Sequence, residues 1–137
     1  MPMLATTAAR VTSNTDPEIN ADIRRRMEAR VAGLRSAGSA AIEARLRELD
    51  REWDIERCLE TGAASLTLLG SLLGIARSRA WMLLPAGVAA FLLQHAVQGW
   101  CPPLPVFRRL GVRTADEINE EREKLKRLLL EPALALD

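Results

Sequence analysis

The sequence predicts an all-α protein, a two-helix transmembrane antiparallel hairpin with amphipathic cytoplasmic helices before and after it. The first observation behind this is charge segregation. The 19 Lys+Arg and 18 Asp+Glu nearly cancel at +1 and mean hydropathy is −0.02, yet Thr61–Ala76 holds no Asp, Glu, Lys or Arg. Arg77-Ser78-Arg79 interrupts, and Ala80–Phe107 again holds none. The second observation is length. The first stretch has 16 residues, and the second runs 21 from Ala80 to Trp100 before Cys101-Pro102-Pro103 stops it; a bilayer crossing takes about 20. The third is the placement of tryptophan. Trp53 precedes the first stretch, Trp81 opens the second and Trp100 closes it, as expected of interface anchors. Trp81 and Trp100 are about 28 Å apart at helical rise, against a hydrocarbon core of roughly 30 Å. The competing reading, two core helices of a soluble bundle, needs a polar face toward water, and Ala80–Ala96 offers only Gln94 and His95.

Taken in order, residues 1–15 read as a disordered lead, since Met1–Asn14 has no apolar run of signal-peptide length. Residues 16–57 read as cytoplasmic amphipathic helices. Thr15 and Glu18 form a capping box with Pro17 in the first turn, and the helix runs to about Val31, with Ile19, Ile23, Met27, Val31 and Leu34 forming one apolar stripe. Ser36–Ser39 breaks that helix. A second begins near Ala40, with Ile42, Leu46, Leu49 and Trp53 spaced 4, 3, 4, and nothing obvious ends it before the first span. Residues 58–107 read as the transmembrane hairpin, whose three-residue connection forces the legs antiparallel. Pro85 lies one turn into the second leg. Residues 108–137 read as a C-terminal helix and tail, started by a Thr114/Glu117 capping box and ended at Glu131-Pro132. Arg45, Arg47, Arg51 and Arg57 before the spans and Arg108, Arg109 and Arg113 after them outnumber Arg77 and Arg79 in the connection, which places both termini in the cytoplasm.

Gly70-Ser71-Leu72-Leu73-Gly74 is a G-x-x-x-G pattern, and Ala63, Thr67 and Ser71 add a second row of small residues. Such a face lets backbones approach where lipid supplies no hydrophobic drive. The partner helix is either the second leg, through Ala86 and Ala90, or a neighbouring protomer. Folding the chain about Ser78 brings His95 level with Thr61. The expected polar latch is therefore His95 or Gln94 bonded to Glu60 or Thr61, hiding polar groups from lipid.

Composition excludes several classes. Near-neutrality argues against a globally basic nucleic-acid binder. Two Cys and one His leave no room for a disulfide framework or a four-ligand zinc site, so no metal and no cofactor is expected. No catalytic dyad or phosphate-binding glycine loop stands out, and Glu28, Glu43, Glu48 and Glu52 interleave with Arg as solvated ion-pair faces.

Asp54-Ile55-Glu56-Arg57 before a Gly-containing span, Phe91–Ala96, Gln98-Gly99-Trp100-Cys101-Pro102-Pro103-Leu104-Pro105 and Leu110-Gly111-Val112-Arg113-Thr114 together resemble the YgaP-like transmembrane domain over roughly residues 50–130. This is a small bacterial inner-membrane hairpin, sometimes fused to a rhodanese domain. The resemblance implies two transmembrane helices, an inner-membrane location and self-association. A rhodanese loop needs successive backbone N–H donors around its Cys, and Pro102, Pro103 and Pro105 remove three. The sequence therefore reads as a non-enzymatic membrane hairpin whose partners are the bilayer, further copies of itself and a rhodanese-type or other membrane protein. The alternative is a thiol or sulfur relay using Cys101, with Arg108 and Arg109 lowering its pKa.

Overall fold

A computed structural model describes the backbone of residues 6–134 and the side chains as far as Glu131. Every element among the described residues is helical: α1 (Arg10–Ser13), α2 (Pro17–Ala37), α3 (Ser39–Leu49), α4 (Ile55–Ala76), a 3-10 turn (Arg79–Met82), α5 (Leu83–Gln98), α6 (Leu104–Arg109) and α7 (Ala115–Leu134). Two of these helical stretches, Ile55–Ala76 and Arg79–Gln98, are long and apolar enough to cross a membrane.

Helices α2, α3 and α7 pack on one another around Ile42, Leu49, Ile118 and Leu125, with Val31, Leu34, Leu46, Leu128 and Leu129 against them. The 4-3 spacing of α3 thus buries the face it predicted. Gly38, at φ 92°, separates α2 from α3 inside the expected Ser36–Ser39 break. The Thr114/Glu117 capping box forms reciprocally: Glu117 N–H donates to Thr114 Oγ1 at 3.2 Å, and Thr114 N–H donates to Glu117 Oε2 at 2.9 Å.

Several expectations fail, each for a local reason. The cap of α2 is Asp16, which accepts from Glu18 N–H at 2.8 Å. Thr15 Oγ1 is diverted to Val11 O at 2.8 Å and accepts from Arg108. The helix runs to Ala37, a turn and a half beyond Val31. Within the supposed disordered lead, residues 1–5 lie outside the described residues, but α1 is folded, because Val11 is buried among Ile55, Leu59, Cys101 and Leu104. Helix α3 does not continue into the first apolar helix. Arg51 N–H and Glu52 N–H bond back to Glu48 O and Leu49 O, which tightens the last turn. Asp54 then caps a new helix by accepting from Arg57 N–H at 2.8 Å. Trp53 consequently sits in the connection. Finally, α7 passes Pro132 to reach Leu134.

The two apolar helices lie side by side. Gly70 abuts Leu84 and Pro85, and Gly74 abuts Met82, while Glu56 near the start of α4 meets His95 near the end of α5. Pro85 falls in the first turn of α5, where its missing N–H has no helical partner to lose. Few of their side chains are covered: 11% of each apolar window is buried, and Ile75 is 84% and Leu83 76% exposed.

Candidate functional site

The end of α5 carries the densest polar chemistry near the apolar helices. Gly99 takes the left-handed conformation (φ 79°) and closes the helix with its N–H on His95 O at 2.7 Å. A side chain there would collide with the backbone of Arg10, so the absence of a Cβ is what lets α1 cross the helix end. Asn14 fastens the crossing by donating to Gln98 O at 2.8 Å and to Arg10 O at 2.7 Å.

Under α1 lies a three-residue polar cluster. Arg10 Nη2 donates to Glu56 Oε1 at 2.9 Å, and His95 Nε2 lies 3.0 Å from Glu56 Oε2. His95 is 3% exposed, and among the described residues its Nδ1 and Arg10 Nε are buried without a hydrogen-bond partner. His95 therefore does latch the two apolar helices, but its partner is Glu56. Glu60, the partner expected along with Thr61, is exposed on α4, and Gln94 turns to Gln98 at 3.5 Å. The Arg79–Met82 segment is a 3-10 turn, which rises about 2.0 Å per residue instead of 1.5 Å and so accounts for about 2 Å of this shift of one turn. The second helix thus runs ahead of a fold drawn about Ser78.

Cys101 follows on the same side, buried with Val11, Ile55, Leu59 and Leu104. Burial pushes its thiol above the ordinary value; the Leu104 N–H works against that and the Glu56 charge adds to it. The expectation that Arg108 and Arg109 would lower it fails. Arg108 is itself buried and committed to Glu117 at 2.7 and 2.8 Å, Asn20 at 2.8 Å, Thr15 at 3.2 Å and Val112 O at 3.0 Å. Beside Cys101 a cavity of about 350 Å³ opens between α4, α5 and the Cys101–Phe107 segment. Its wall includes Cys58, Gly62, Ala63, Leu66, Phe91 and Pro102, so both thiols face one apolar space.

Of the small residues, Gly70 and Gly74 pack within the chain, Ala63 lines the cavity, and Thr67 and Ser71 are half-buried. The three tryptophans are exposed, Trp53 with the Arg57 guanidinium 4.4 Å over its ring.

A second charged centre joins the three-helix part to the apolar helices. Glu121, fully buried, accepts from Arg30 at 2.8 Å, from Arg45 at 2.8 Å and from Arg113. Arg113 also pairs with Glu52 at 2.7 Å, and its carbonyl accepts Ile55 N–H at 2.8 Å where α4 begins. Burial opposes the Glu121 charge, but hydrogen bonds from Arg45 and Arg113 outweigh it and hold the carboxyl below its ordinary value. Glu117 is lowered in the same way, against burial, by Arg108 and the Thr114 N–H.

Sequence reasoning missed Arg10, Glu56 and Glu121. Arg10 was legible as the one charge in an otherwise neutral lead; Glu121 looks like any other acid of a charged helix. No family model, curated protein or solved structure matches the chain.

Proposed function

We propose that the chain is a small integral membrane protein. Helices α4 and α5 cross the bilayer as an antiparallel hairpin, and the bundle of α2, α3 and α7 stands in the water on the side of both termini. One observation carries this reading: most residues of the two apolar helices are exposed, and only 11% of each apolar stretch is buried. A core helix of a soluble protein would be mostly buried, and exposed apolar area costs about 25 cal/mol per Å² in water, whereas lipid removes that cost. The pairings of Gly74 with Met82 and of Glu56 with His95 support opposite directions for the legs. The resemblance to the YgaP-like domain adds the bacterial inner membrane, and the arginine bias adds cytoplasmic termini.

Within the membrane the protein acts as a non-enzymatic assembly unit that self-associates or binds another membrane protein. With Gly70 and Gly74 taken up inside the hairpin, the surface left for a neighbour is the outer row of Leu68, Leu72 and Ile75. The thiol-relay alternative is favoured by Cys58 and Cys101 sharing a cavity, and opposed by the raised pKa of Cys101, which keeps it a thiol. Flotation tests the main reading. After an alkaline carbonate wash, the protein is expected to rise with vesicles in a density gradient. A monodisperse protein in detergent-free buffer would refute it.

A further inference from the structure

We infer that the cavity beside Cys101 is a binding groove for one acyl chain of a bilayer phospholipid, an inference that rests on the membrane reading above. The hairpin is not uniformly tight. A Cβ added at Gly70 or Gly74 would press on the opposite leg, but one added at Gly62 meets nothing within 4 Å. The legs are therefore close at the connection and apart toward their other end, where Glu56 and His95 bridge them with long side chains. The opened space is floored by Gly62 and walled by Cys58, Leu66 and Phe91, with Cys101 and Phe107 lining its other side.

Its dimensions select the occupant. Cys58 to Leu66 is eight residues, about 12 Å at 1.5 Å per residue. A volume of about 350 Å³ is at the small end of ligand pockets, about 300–1,000 Å³. A helix with its side chains is 10–12 Å across, so a second copy could only lean its side chains over the groove, while a single hydrocarbon chain can lie within it. The chemistry agrees. The groove wall is carbon and two thiols, and burial keeps the Cys101 thiol protonated, so no charged ligand is invited. Cys101, on the lining, follows Trp100 in the chain, whose ring is expected at head-group depth. A lipid of that leaflet would enter at Cys101 and Phe107 and run its tail toward Leu66. An apolar groove left empty would forfeit the contacts of its lining atoms.

The test uses the full chain in phosphatidylethanolamine–phosphatidylglycerol vesicles doped with a phosphatidylcholine that carries a diazirine on one acyl chain. After photolysis, adducts are mapped by mass spectrometry. They are expected to concentrate on Cys58–Leu66 and Phe91 relative to Leu72 and Ile75. In Gly62→Phe, groove adducts should fall by about tenfold, the ratio a 1.4 kcal/mol loss gives, with those at Ile75 unchanged. Ala63→Leu fills the same floor and takes over should Gly62→Phe not insert. Even labelling around both helices overturns the inference. So does a dimer formed by a short bis-maleimide between the Cys58 residues of two copies, which would put protein where the tail should be. Loss of flotation in the same preparation is a separate result that removes the membrane reading itself.

Discussion

Alanine at Gly70 and at Gly62 is one chemical change with two opposite expected outcomes. The Gly70 Cβ would stand 2.6 Å from Pro85 Cδ and 3.1 Å from Leu84 Cβ. Carbon atoms are comfortable at about 3.5–4.0 Å, so the legs must part by about 1 Å. The nearest atom belongs to a proline ring, which cannot rotate out of the way. Overpacking of this kind costs about 1–3 kcal/mol. At Gly62 the added methyl meets open space, and alanine gains about 1 kcal/mol of helix propensity. Because propensity acts at both positions, the difference between Gly70→Ala and Gly62→Ala isolates the packing cost, about 1–3 kcal/mol. Unfolding in mixed micelles of increasing dodecyl sulfate fraction, followed by tryptophan fluorescence, measures it. Gly74→Ala should cost less, since its Cβ meets the flexible end of Met82. Equal stability of the Gly70 and Gly62 variants, with oligomers lost only in Gly70→Ala, would refute the reasoning and assign the small face to a neighbouring protomer.

Three further outcomes are expected. Glu121→Gln leaves Arg45 and Arg113 short of a buried counter-charge and should destabilise the bundle of α2, α3 and α7 by about 3–5 kcal/mol, seen as a lowered thermal midpoint by circular dichroism. Glu117 and Glu121 are held below their ordinary pKa. The stability they contribute is therefore complete above the unfolded carboxylate value and is lost as pH falls through the folded one; a thermal midpoint that rises on acidification from pH 5 contradicts this. Cys101, pushed up by burial, should react with iodoacetamide more slowly than free cysteine at pH 7, and Val11→Asp should speed it by lifting α1. Fast labelling in the native protein would instead favour the thiol relay.

Much of the fold was legible because its causes are periodic or local. The uncharged runs, the Thr114/Glu117 box and the Ile42–Leu46–Leu49 face each depend on residues a few positions apart; the runs become the two apolar helices, and the box and the face form as read. What escaped depends on competition between signals. Thr15 and Asp16 both can cap α2, and the choice fell to Asp16 because Arg108, 93 residues away, engages the Thr15 hydroxyl. Asp54 reads as one more acid in a charged segment until its oxygen is seen taking Arg57 N–H, which breaks the chain between α3 and α4. The latch was anticipated in kind but misplaced by one turn, and the 3-10 rise of the four residues after the tight connection, which the sequence does not announce, explains only about 2 Å of that.

The same distinction explains the two kinds of glue in the molecule. If α4 and α5 cross a bilayer as proposed, close approach at Gly70 and Gly74 replaces the hydrophobic drive that lipid cannot supply. In the bundle of α2, α3 and α7, charge takes over. Arg108 binds the lead, α2 and α7 at once, while Arg113 holds Glu52 and Glu121 with its side chain and the first N–H of α4 with its carbonyl. Both arginines belong to the short segment that follows the second apolar helix, so the bundle is oriented on the hairpin by residues 108–113. A strain between the two parts therefore loads these two residues. Arg108→Lys, which keeps the charge but cannot span Asn20, Thr15 and Glu117 together, should therefore loosen α1 and α2 before it unfolds α7. Hydrogen exchange would show this as protection lost at residues 10–20 while residues 118–129 remain protected. Simultaneous loss in both segments would mean that the bundle and its attachment form one cooperative unit.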